Sequence, residues 1–212
     1  MPNAHDIAAA YDRWASSYDR DDNRTRDLDG EVLRGTFANE RFEVVVEAGC
    51  GTGKNTVWLA TRCARLHALD VSAGMLAVAQ GKENAAHVAF RQCDLLARWP
   101  IDDGAADLVT FDLVLEHLPQ LSSVFGEAAR VLRSGGVLWS CELHPFRQYA
   151  GKQAHFVRDG EVVRVPAFVH HTSDYVQAAI DAGFTVAGLR EWWHDDDAGR
   201  PPRLLSLRCR KV

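Results

Sequence analysis

The chain has 212 residues, of which 47% are hydrophobic and 25% charged, values that suit one globular domain with a substantial core. Its net charge of −5 at pH 7 excludes a general attraction to nucleic acid and other polyanions. No segment reaches the roughly 20 apolar residues of a membrane-spanning helix. The five cysteines form no Cys-x-x-Cys pair, so we expect reduced thiols in a soluble, cytoplasmic protein.

The N-terminal residues 1–40 are predicted to form a helical cap on a single domain that spans residues 1–212. Apolar and aromatic side chains recur at helical spacing from Ile7 to Tyr18, which predicts a first helix. The stretch from Asp19 to Asp29 is polar, with charges of both signs, and is predicted to be a mobile loop. A second short helix is predicted from Glu31 to Asn39.

The next stretch, from Phe42 to Asp70, carries the clearest functional signal. A valine run typical of a buried strand precedes three glycines at alternate positions, where a turn can adopt positive φ and let a ligand approach bare backbone. A helix is predicted over Lys54–Cys63 and a second strand over Leu66–Asp70. Asp70 lies 19 residues beyond Gly51, a spacing that suits an acid reaching ribose hydroxyls.

Two common nucleotide sites do not fit this stretch. A phosphate-binding P-loop requires four residues before its Gly-Lys pair, but three separate Gly49 from Gly53, and Asn55 replaces the hydroxyl residue. The dinucleotide fingerprint fails because Lys54 occupies the position of its third glycine. A glycine-rich turn that binds no ligand remains the simplest alternative.

The remaining elements alternate between strands and helices, which predicts an α/β fold. Strands are predicted over 87–91, 106–110 and 137–142, helices over 73–80, 122–132 and 174–182, and two final strands over 184–191 and 204–210. Two alternating runs around Asp159-Gly160 predict a β-hairpin. We therefore expect residues 145–171 to form an inserted hairpin that serves as a substrate lid.

Three motifs resemble those of class I S-adenosylmethionine-dependent methyltransferases. The segment EAGCGTG from Glu47 to Gly53 resembles motif I, and YDRWASSYD from Tyr11 resembles a YDxWAxxYD leader. The segment from Phe111 to Pro119 resembles motif IV followed by LEH(I/L)P. The likeness is to small-molecule enzymes such as those of ubiquinone and menaquinone biosynthesis. It covers about residues 5–145 and implies a Rossmann-like seven-stranded sheet of order 3-2-1-4-5-7-6, its last strand antiparallel, with helices on both faces.

The resemblance implies S-adenosyl-L-methionine as cofactor and S-adenosyl-L-homocysteine as product. The residues expected to contact the cofactor are Tyr11, Tyr18, Glu47, Gly49, Cys50, Gly51, Gly53, Asp70, Val71, Met75, Asp94, Leu95 and Phe111. Beyond these thirteen, Asp112 follows Phe111 at the carboxyl end of its strand and is a further expected contact to the methionine half of the cofactor. Those expected to contact the substrate are Trp14, His117, Phe146 and Phe168. Core packing remains an equal interpretation for Val71 and Met75. Packing of the first helix onto the sheet is an equal interpretation for Tyr11, Trp14 and Tyr18. Turn capping is an alternative for Asp94, and a structural role is favoured for His117.

The candidate catalytic base follows the strand predicted over 137–142. A base poised near neutral pH suits an alcohol, phenol or amine acceptor. His144 is the first candidate by its position, followed by His170, His171 and Glu142. No pair of residues has a familiar metal-ligand spacing, so no metal is expected.

The leading function is methyl transfer to an oxygen or nitrogen of a small molecule, with no nucleic-acid or membrane partner. One alternative is a catalytically silent partner protein that binds an S-adenosyl ligand. RNA or protein methylation is a second alternative, opposed by the acidic charge and the lack of an NPPY-like motif. The acceptor and the oligomeric state stay open.

Overall fold

The structure, a computed structural model, describes residues 4–158 and 160–212. The first three residues of the predicted cap, and Asp159 of the predicted hairpin turn, lie outside the described residues. The helices are α1 Ala4–Trp14, α2 Arg24–Thr36, α3 Thr56–Ala60, α4 Ala73–Lys82, α5 Leu121–Val131, α6 Pro145–Tyr149 and α7 Thr172–Asp181. The strands are β1 Phe42–Ala48, β2 Cys63–Asp70, β3 Val88–Gln92, β4 Ala106–Asp112, β5 Leu132–Leu143, β6 His155–Arg158, β7 Glu161–Arg164, β8 Phe184–Trp192 and β9 Leu204–Lys211.

Seven strands form one sheet in the order β3-β2-β1-β4-β5-β9-β8. The first five strands in this order pair in parallel, whereas β9 is antiparallel to both β5 and β8. This confirms the predicted sheet order, because β8 and β9 are the sixth and seventh strands once the separate hairpin is set aside. The order reverses between β1 and β4, and in such sheets the crevice at the carboxyl ends of these two strands is where ligands bind.

The valines of β1 show how both faces of this sheet are covered. Val45 packs in a cluster with residues of α2 and α3, whereas Val44 and Val46 pack on the opposite face with residues of α5 and α7. All three are at least nine-tenths buried. A strand buried on both faces needs a continuous apolar run, which is what the sequence provides.

The predicted loop from Asp19 to Asp29 is wrong, because α2 begins inside it at Arg24. The side chain of Asn23 caps this helix by accepting hydrogen bonds from the backbone N–H groups of Thr25 and Arg26, at 3.0 and 3.1 Å. The charges suggested a solvated segment, but Arg26 and Asp29 are buried. Helix α2 is therefore longer than predicted, and it turns two charged side chains inward.

The bounds of two elements next to glycine turns also differ from prediction. Helix α3 covers Thr56–Ala60, shorter than the predicted Lys54–Cys63, because β2 already begins at Cys63 and pairs with Phe42. Strand β5 begins at Leu132, which pairs with Ala106 before an irregularity in the register. Leu132, predicted to be the last residue of a helix, is therefore the first residue of β5.

The hairpin of β6 and β7 lies after β5 as predicted and packs on α1. His155 pairs with Arg164, and Phe156 pairs with Val163. The ring of Phe156 stacks on the ring of Trp14, with centroids 5.0 Å apart, and Val165 is fully buried in the same cluster. The N-terminal cap and the hairpin therefore share one small core.

None of the helices within residues 4–158 and 160–212 is long and apolar enough to cross a lipid bilayer.

Candidate active site

A cavity of about 960 Å³, counting the space at its mouth, opens at the carboxyl ends of β1, β2 and β4. Helices α1 and α2 contribute side chains to its walls. Eleven of the thirteen residues predicted to contact a cofactor line it: Tyr11, Tyr18, Glu47, Gly49, Cys50, Gly51, Asp70, Val71, Met75, Asp94 and Leu95. The structure thus brings most of the predicted cofactor residues to one cavity.

Gly53 and Phe111 do not line this cavity. A Cβ atom on Gly53 would lie 3.0 Å from the Cβ of Ala79, so this glycine lets the turn pack against α4. Phe111 is fully buried and stacks on Phe125, with centroids 6.0 Å apart, in the core beneath α5. In the structure both residues contribute to packing next to the cavity or in the core.

The glycine turn after β1 is tight on one side and open on the other. Gly49 and Gly51 have φ values of +85° and +52°. A Cβ atom on Gly49 would come within 2.4 Å of the side chain of Val114, whereas a Cβ atom on Gly51 would meet nothing within 4 Å. Bare backbone at Gly51 therefore borders the cavity, where a ligand can approach closely.

Asp70 is the last residue of β2, and its carboxylate holds the glycine turn by a hydrogen bond. Its Oδ2 accepts a hydrogen bond from the N–H of Gly51 at 2.8 Å, and its Oδ1 accepts one from the N–H of Ser72 at 2.8 Å. Burial raises the pKa of Asp70, and these two hydrogen bonds oppose the rise. Each carboxylate oxygen has a second lone pair to offer a ligand.

Val71, Met75, Asp94 and Leu95 surround the cavity beside Asp70. Met75 is almost fully buried in the cluster that also contains Trp14 and Phe156, so it also serves the core packing that was the alternative to ligand contact. The Oδ1 of Asp94 accepts the N–H of Leu96 at 2.9 Å, which matches the alternative turn-capping role. Met75 and Asp94 thus line the cavity and also serve these structural roles.

The opposite end of the cavity is strongly polar, and most of it was missed by sequence reasoning. Its lining includes Arg26, Asp29, Lys54 and Asn55, which sequence reasoning missed, in addition to the predicted Glu47 and Asp112. The guanidinium of Arg26 lies over the Tyr18 ring, 4.0 Å from its centroid, and donates to the backbone oxygens of Tyr18 and Asp21. A correct prediction of α2 would have placed Arg26 and Asp29 on one helix face, three residues apart.

Glu47 lies at the base of this polar end and is 3% exposed. Its Oε2 accepts a hydrogen bond from the Thr56 hydroxyl at 2.5 Å. Burial raises the pKa of Glu47 to about 8, and the neighbouring Asp70 and Asp29 carboxylates add to the rise. The side chain is thus held largely protonated at neutral pH.

His117 and Tyr11 form a hydrogen-bonded pair in the cavity wall. The Tyr11 hydroxyl lies 2.7 Å from His117 Nε2, and His117 Nδ1 lies 2.8 Å from the carbonyl oxygen of Pro166. Because a carbonyl only accepts, Nδ1 carries a proton, and Nε2 is the ring nitrogen that pairs with the Tyr11 hydroxyl. Burial raises the pKa of Tyr11 well above its usual value, so this hydroxyl keeps its proton.

The backbone leading to His117 is strained. Leu113 lines the cavity and has a φ of +58°, in the left-handed region that non-glycine residues rarely adopt. Glu142 supports this turn from β5, because its Oε1 accepts the N–H groups of Val114 and Leu115 at 3.3 and 3.2 Å. Backbone strain of this kind clusters at functional sites in proteins.

The four predicted bases do not line the cavity. His144 caps α6, with Nδ1 accepting the N–H of Phe146 at 3.1 Å and Nε2 lying 3.0 Å from Glu191 Oε1. Nε2 of buried His170 lies 2.8 Å from the Leu118 oxygen, and His171 Nδ1 lies 2.7 Å from the hydroxyl of exposed Tyr149. Glu142 buttresses the turn described above. Each of the four side chains is instead engaged by a structural partner.

Of the predicted substrate contacts, only His117 lines the cavity. Trp14 is buried beneath α1 and donates from Nε1 to Asp21 at 2.7 Å. Phe146 is 54% exposed, beside Tyr149 on the outer surface. Phe168 donates its backbone N–H to the oxygen of Glu116 at 2.7 Å, which ties the segment after the hairpin to the turn that carries His117.

Within residues 4–158 and 160–212, no group of three or more His, Cys, Asp or Glu side chains has an arrangement that could hold a metal ion.

Comparisons with known proteins agree with this geometry. Residues 46–140 match the profile of a family described as "Methyltransferase domain". The chain is 31% identical over 219 residues to an uncharacterized methyltransferase, AN0656, of Emericella nidulans, which covers 85% of this chain and 76% of that protein. It is 35% identical over 136 residues to malonyl-[acyl-carrier protein] O-methyltransferase of Serratia marcescens, which covers 64% of this chain and 52% of that protein. The match thus spans about half the length of that relative.

Two solved structures illustrate the similarity of fold. The complex of DhpI with SAH is 24% identical, has a TM-score of 0.74, and covers 98% of this chain and 96% of that chain. The [4+2]-cyclase SpnF is 15% identical, has a TM-score of 0.76, and covers 100% of this chain and 97% of that chain. A shared architecture therefore accompanies different reactions, and the reaction must be argued from the site.

Proposed function

The chain belongs to the class I S-adenosylmethionine-dependent methyltransferases, and from that membership we propose that it methylates an oxygen or nitrogen of a small-molecule acceptor. The observation that carries the proposal is the composition of one cavity. Bare glycine backbone, the Asp70 carboxylate and the Tyr11–His117 pair all border the same space. These are the parts that such a reaction requires: a seat for the methyl donor, and a group beside it that can accept a proton.

The residues present fit S-adenosylmethionine, which supplies an electrophilic methyl group when bound. The open backbone at Gly51 and the carboxylate of Asp70 suit its ribose, as the spacing of the two residues predicts. The largely apolar surface of Val71, Met75 and Leu95 suits its adenine. The polar end suits its charged amino-acid group, because buried acceptor atoms there lack donors among the described residues.

The protein's own task is to align the acceptor, exclude water and remove a proton. We assign the last role to His117, in place of His144. Its ring is held through Nδ1 by the Pro166 carbonyl, and Nε2 is directed to Tyr11 at the cavity wall. An acceptor hydroxyl or amine that replaces the Tyr11 hydroxyl at Nε2 can hand its proton to this nitrogen.

Oxygen is the more strongly supported acceptor atom. The relative from Serratia marcescens is named an O-methyltransferase of a malonyl group on acyl-carrier protein, which supports an oxygen acceptor on a small acyl or related group. The net charge of −5 does not favour an RNA substrate. The position of α1 in the cavity wall, with the hairpin packed on it, supports a small acceptor over an extended polymer.

The proposal is tested by incubating the protein with S-adenosylmethionine that carries a tritiated methyl group and a cell extract containing metabolites, RNA and protein. We expect the label to enter the small-molecule fraction, with Asp70→Ala as the inactive control. Label in RNA or protein instead would contradict the proposal. Binding of S-adenosylhomocysteine without label in any fraction would favour the silent-partner alternative.

A further inference from the structure

A buried carboxyl group lies beside His117 and takes no part in the reaction described so far. Glu116 belongs to the same short 3-10 turn, Leu115–His117. Its Oε1 lies 3.7 Å from His117 Nε2, the nitrogen assigned as proton acceptor. The two residues are 5% and 3% exposed. A carboxyl group and an imidazole ring therefore meet where solvent hardly reaches either of them.

Glu116 is held in this position by two other parts of the fold. Gln148 of α6 is buried and donates from Nε2 to Glu116 Oε2 at 3.4 Å. The backbone oxygen of Glu116 accepts the N–H of Phe168 at 2.7 Å. Because α6 binds Oε2, the other oxygen of this carboxyl group is the one next to the His117 ring.

Three titratable groups around this pair are held neutral by the fold. Burial raises the pKa of Tyr11 on α1 well above its usual value, and Glu116 adds to the rise. Burial also raises the pKa of Glu142 on β5 and of Tyr175 on α7, again with a contribution from Glu116. All three keep their protons at neutral pH, so none of them can balance a positive charge on His117.

The remaining charged and titratable groups near the ring are engaged elsewhere. Burial raises the pKa of Asp70 on β2, and His117 opposes the rise, but both oxygens of Asp70 already accept backbone N–H groups. Burial raises the pKa of Tyr18 to about 12. The guanidinium of Arg26 lies 4.0 Å from the centroid of the Tyr18 ring and donates to backbone oxygens. Glu116 is thus the carboxyl group placed to face His117.

We propose that Glu116 is a positioning residue that carries the negative charge opposite His117 when Nε2 takes the acceptor's proton. The proposal rests on the function proposed above. In that step the O–H or N–H bond of the acceptor breaks, its bonding pair stays on the acceptor atom, and the ring's lone pair forms an Nε2–H bond. One positive charge then lies on a buried ring. A buried charge without a partner is strongly disfavoured, and a carboxylate at 3.7 Å offsets that cost.

Glu116 acts through His117 and not on the ligands, because its side chain does not line the cavity. Its removal should therefore weaken the hold of Nε2 on a proton and leave the seat of the methyl donor unchanged. A residue that only stabilised the turn would not have this effect on the protonation of one ring. The two roles are separated by measuring that protonation directly.

The test follows His117 by NMR in the ligand-free protein, with ¹⁵N-labelled histidine, from about pH 4 to pH 9. The spectrum of His117→Gln identifies the signals of this ring by their absence. Glu116→Gln removes the charge and keeps the size of the side chain. Glu142→Gln is the matched control, because it replaces a buried carboxyl group of the same cluster that already holds a proton.

We expect Glu116→Gln to move the midpoint of His117 protonation to lower pH by about one unit or more, because burial of the cation is no longer offset. Glu142→Gln should move it by a small fraction of that shift. In the tritium assay described above, Glu116→Gln should lower methyl transfer by about tenfold or more, with binding of S-adenosylhomocysteine within about twofold.

Equal midpoints in Glu116→Gln and wild type, or equal shifts in Glu116→Gln and Glu142→Gln, would overturn the inference. If Glu116→Gln does not fold, Glu116→Asp, which draws the carboxylate back from the ring, is held to a shift in the same direction. A protein that shows the expected midpoints but transfers no label to any acceptor would instead contradict the proposed function, with the charge pairing intact.

Discussion

At the scale of single residues, His117 is the proposed proton acceptor of the reaction. Within the described part of the chain, it is the histidine whose side chain lines the cavity. Its tautomer is fixed by the Pro166 carbonyl, so Nε2 is the nitrogen that can accept a proton. His144, at a similar strand end, has both ring nitrogens engaged by Phe146 and Glu191. The difference between the two histidines can be tested directly.

His117→Gln should lower kcat by about 100-fold or more, because it removes the proton acceptor. Binding of S-adenosylhomocysteine should change little, since the glycine turn and Asp70 are untouched. The comparison variant is His144→Gln, which removes a helix cap but no cavity group. Steady-state kinetics on the identified acceptor would contradict the assignment if both variants lost the same activity, or if His117→Gln lost none.

Buried acids give the site a distinctive pH dependence. The raised pKa of Glu47, about 8, means that the folded protein holds this proton more tightly than the unfolded chain, whose glutamate pKa is near 4.5. Stability from this group is therefore present below about pH 4.5 and is lost as the pH rises towards 8. Burial of Asp29, with a pKa of about 6, acts in the same direction.

The free energy of unfolding of the ligand-free protein should therefore fall between pH 5 and 8, by a few kcal/mol (~1.4 kcal/mol per pKa unit) for Glu47 alone. Glu47→Gln should reduce this fall, and Glu43→Gln, an exposed acid on the same strand, should not. Urea unfolding at several pH values measures both. An equal slope in wild type and Glu47→Gln would show that Glu47 does not hold its proton in the fold.

At the scale of elements, α1 lines the cavity and the hairpin packs on α1. Trp14 of α1 stacks on Phe156 of β6, and Tyr11 of the same helix bonds to His117. Asp12 fixes α1 to α4 by accepting from the Ser72 hydroxyl at 2.5 Å and the Gly74 N–H at 2.8 Å. We therefore expect that loosening the hairpin disturbs α1 and, through it, the cavity wall.

Phe156→Ala should undock the hairpin from Trp14, because it removes a side chain that is 4% exposed. We expect faster proteolysis within the hairpin and a KM for S-adenosylmethionine raised several-fold. Full burial of such a ring stabilises a protein by about 3–5 kcal/mol, of which the hairpin alone would carry a part. Val157→Ala, on the same strand with Val157 66% exposed, is the control. Identical protease sensitivity in the two variants would argue against a docked lid.

At the scale of the whole molecule, the sheet order creates the site. Strands β1 and β4 are neighbours, with β2 on the outer side of β1, so the turns after these three strands meet at one edge. The glycine turn, Asp70 and the strained Leu113 each belong to one of these turns. Core clusters on both faces hold the strands in register. The substrate side is then built from segments that the sheet does not dictate.

This division also explains what the sequence could predict. The positions of the glycine turn after β1 and of Asp70 at the end of β2 agree with prediction. Both positions follow from local spacing and from the apolar run of a strand buried on both faces. Asp29 was missed because its burial depends on α2 packing over the cavity, a tertiary effect that its charged neighbours conceal. His144 does not line the cavity because it caps α6, and its ring is held by the N–H of Phe146 and by Glu191, contacts that strand spacing does not predict.

The most direct test of the account is a crystal structure of the protein with S-adenosylhomocysteine. We predict that the ligand occupies the cavity, with its ribose hydroxyls bonded to Asp70 and its amino-acid group at the polar end of the cavity. Its sulfur should lie on the side of the Tyr11–His117 pair, where an acceptor can approach. A ligand bound elsewhere, or bound with its sulfur directed away from His117, would contradict the assignment of this cavity as the methyl-transfer site.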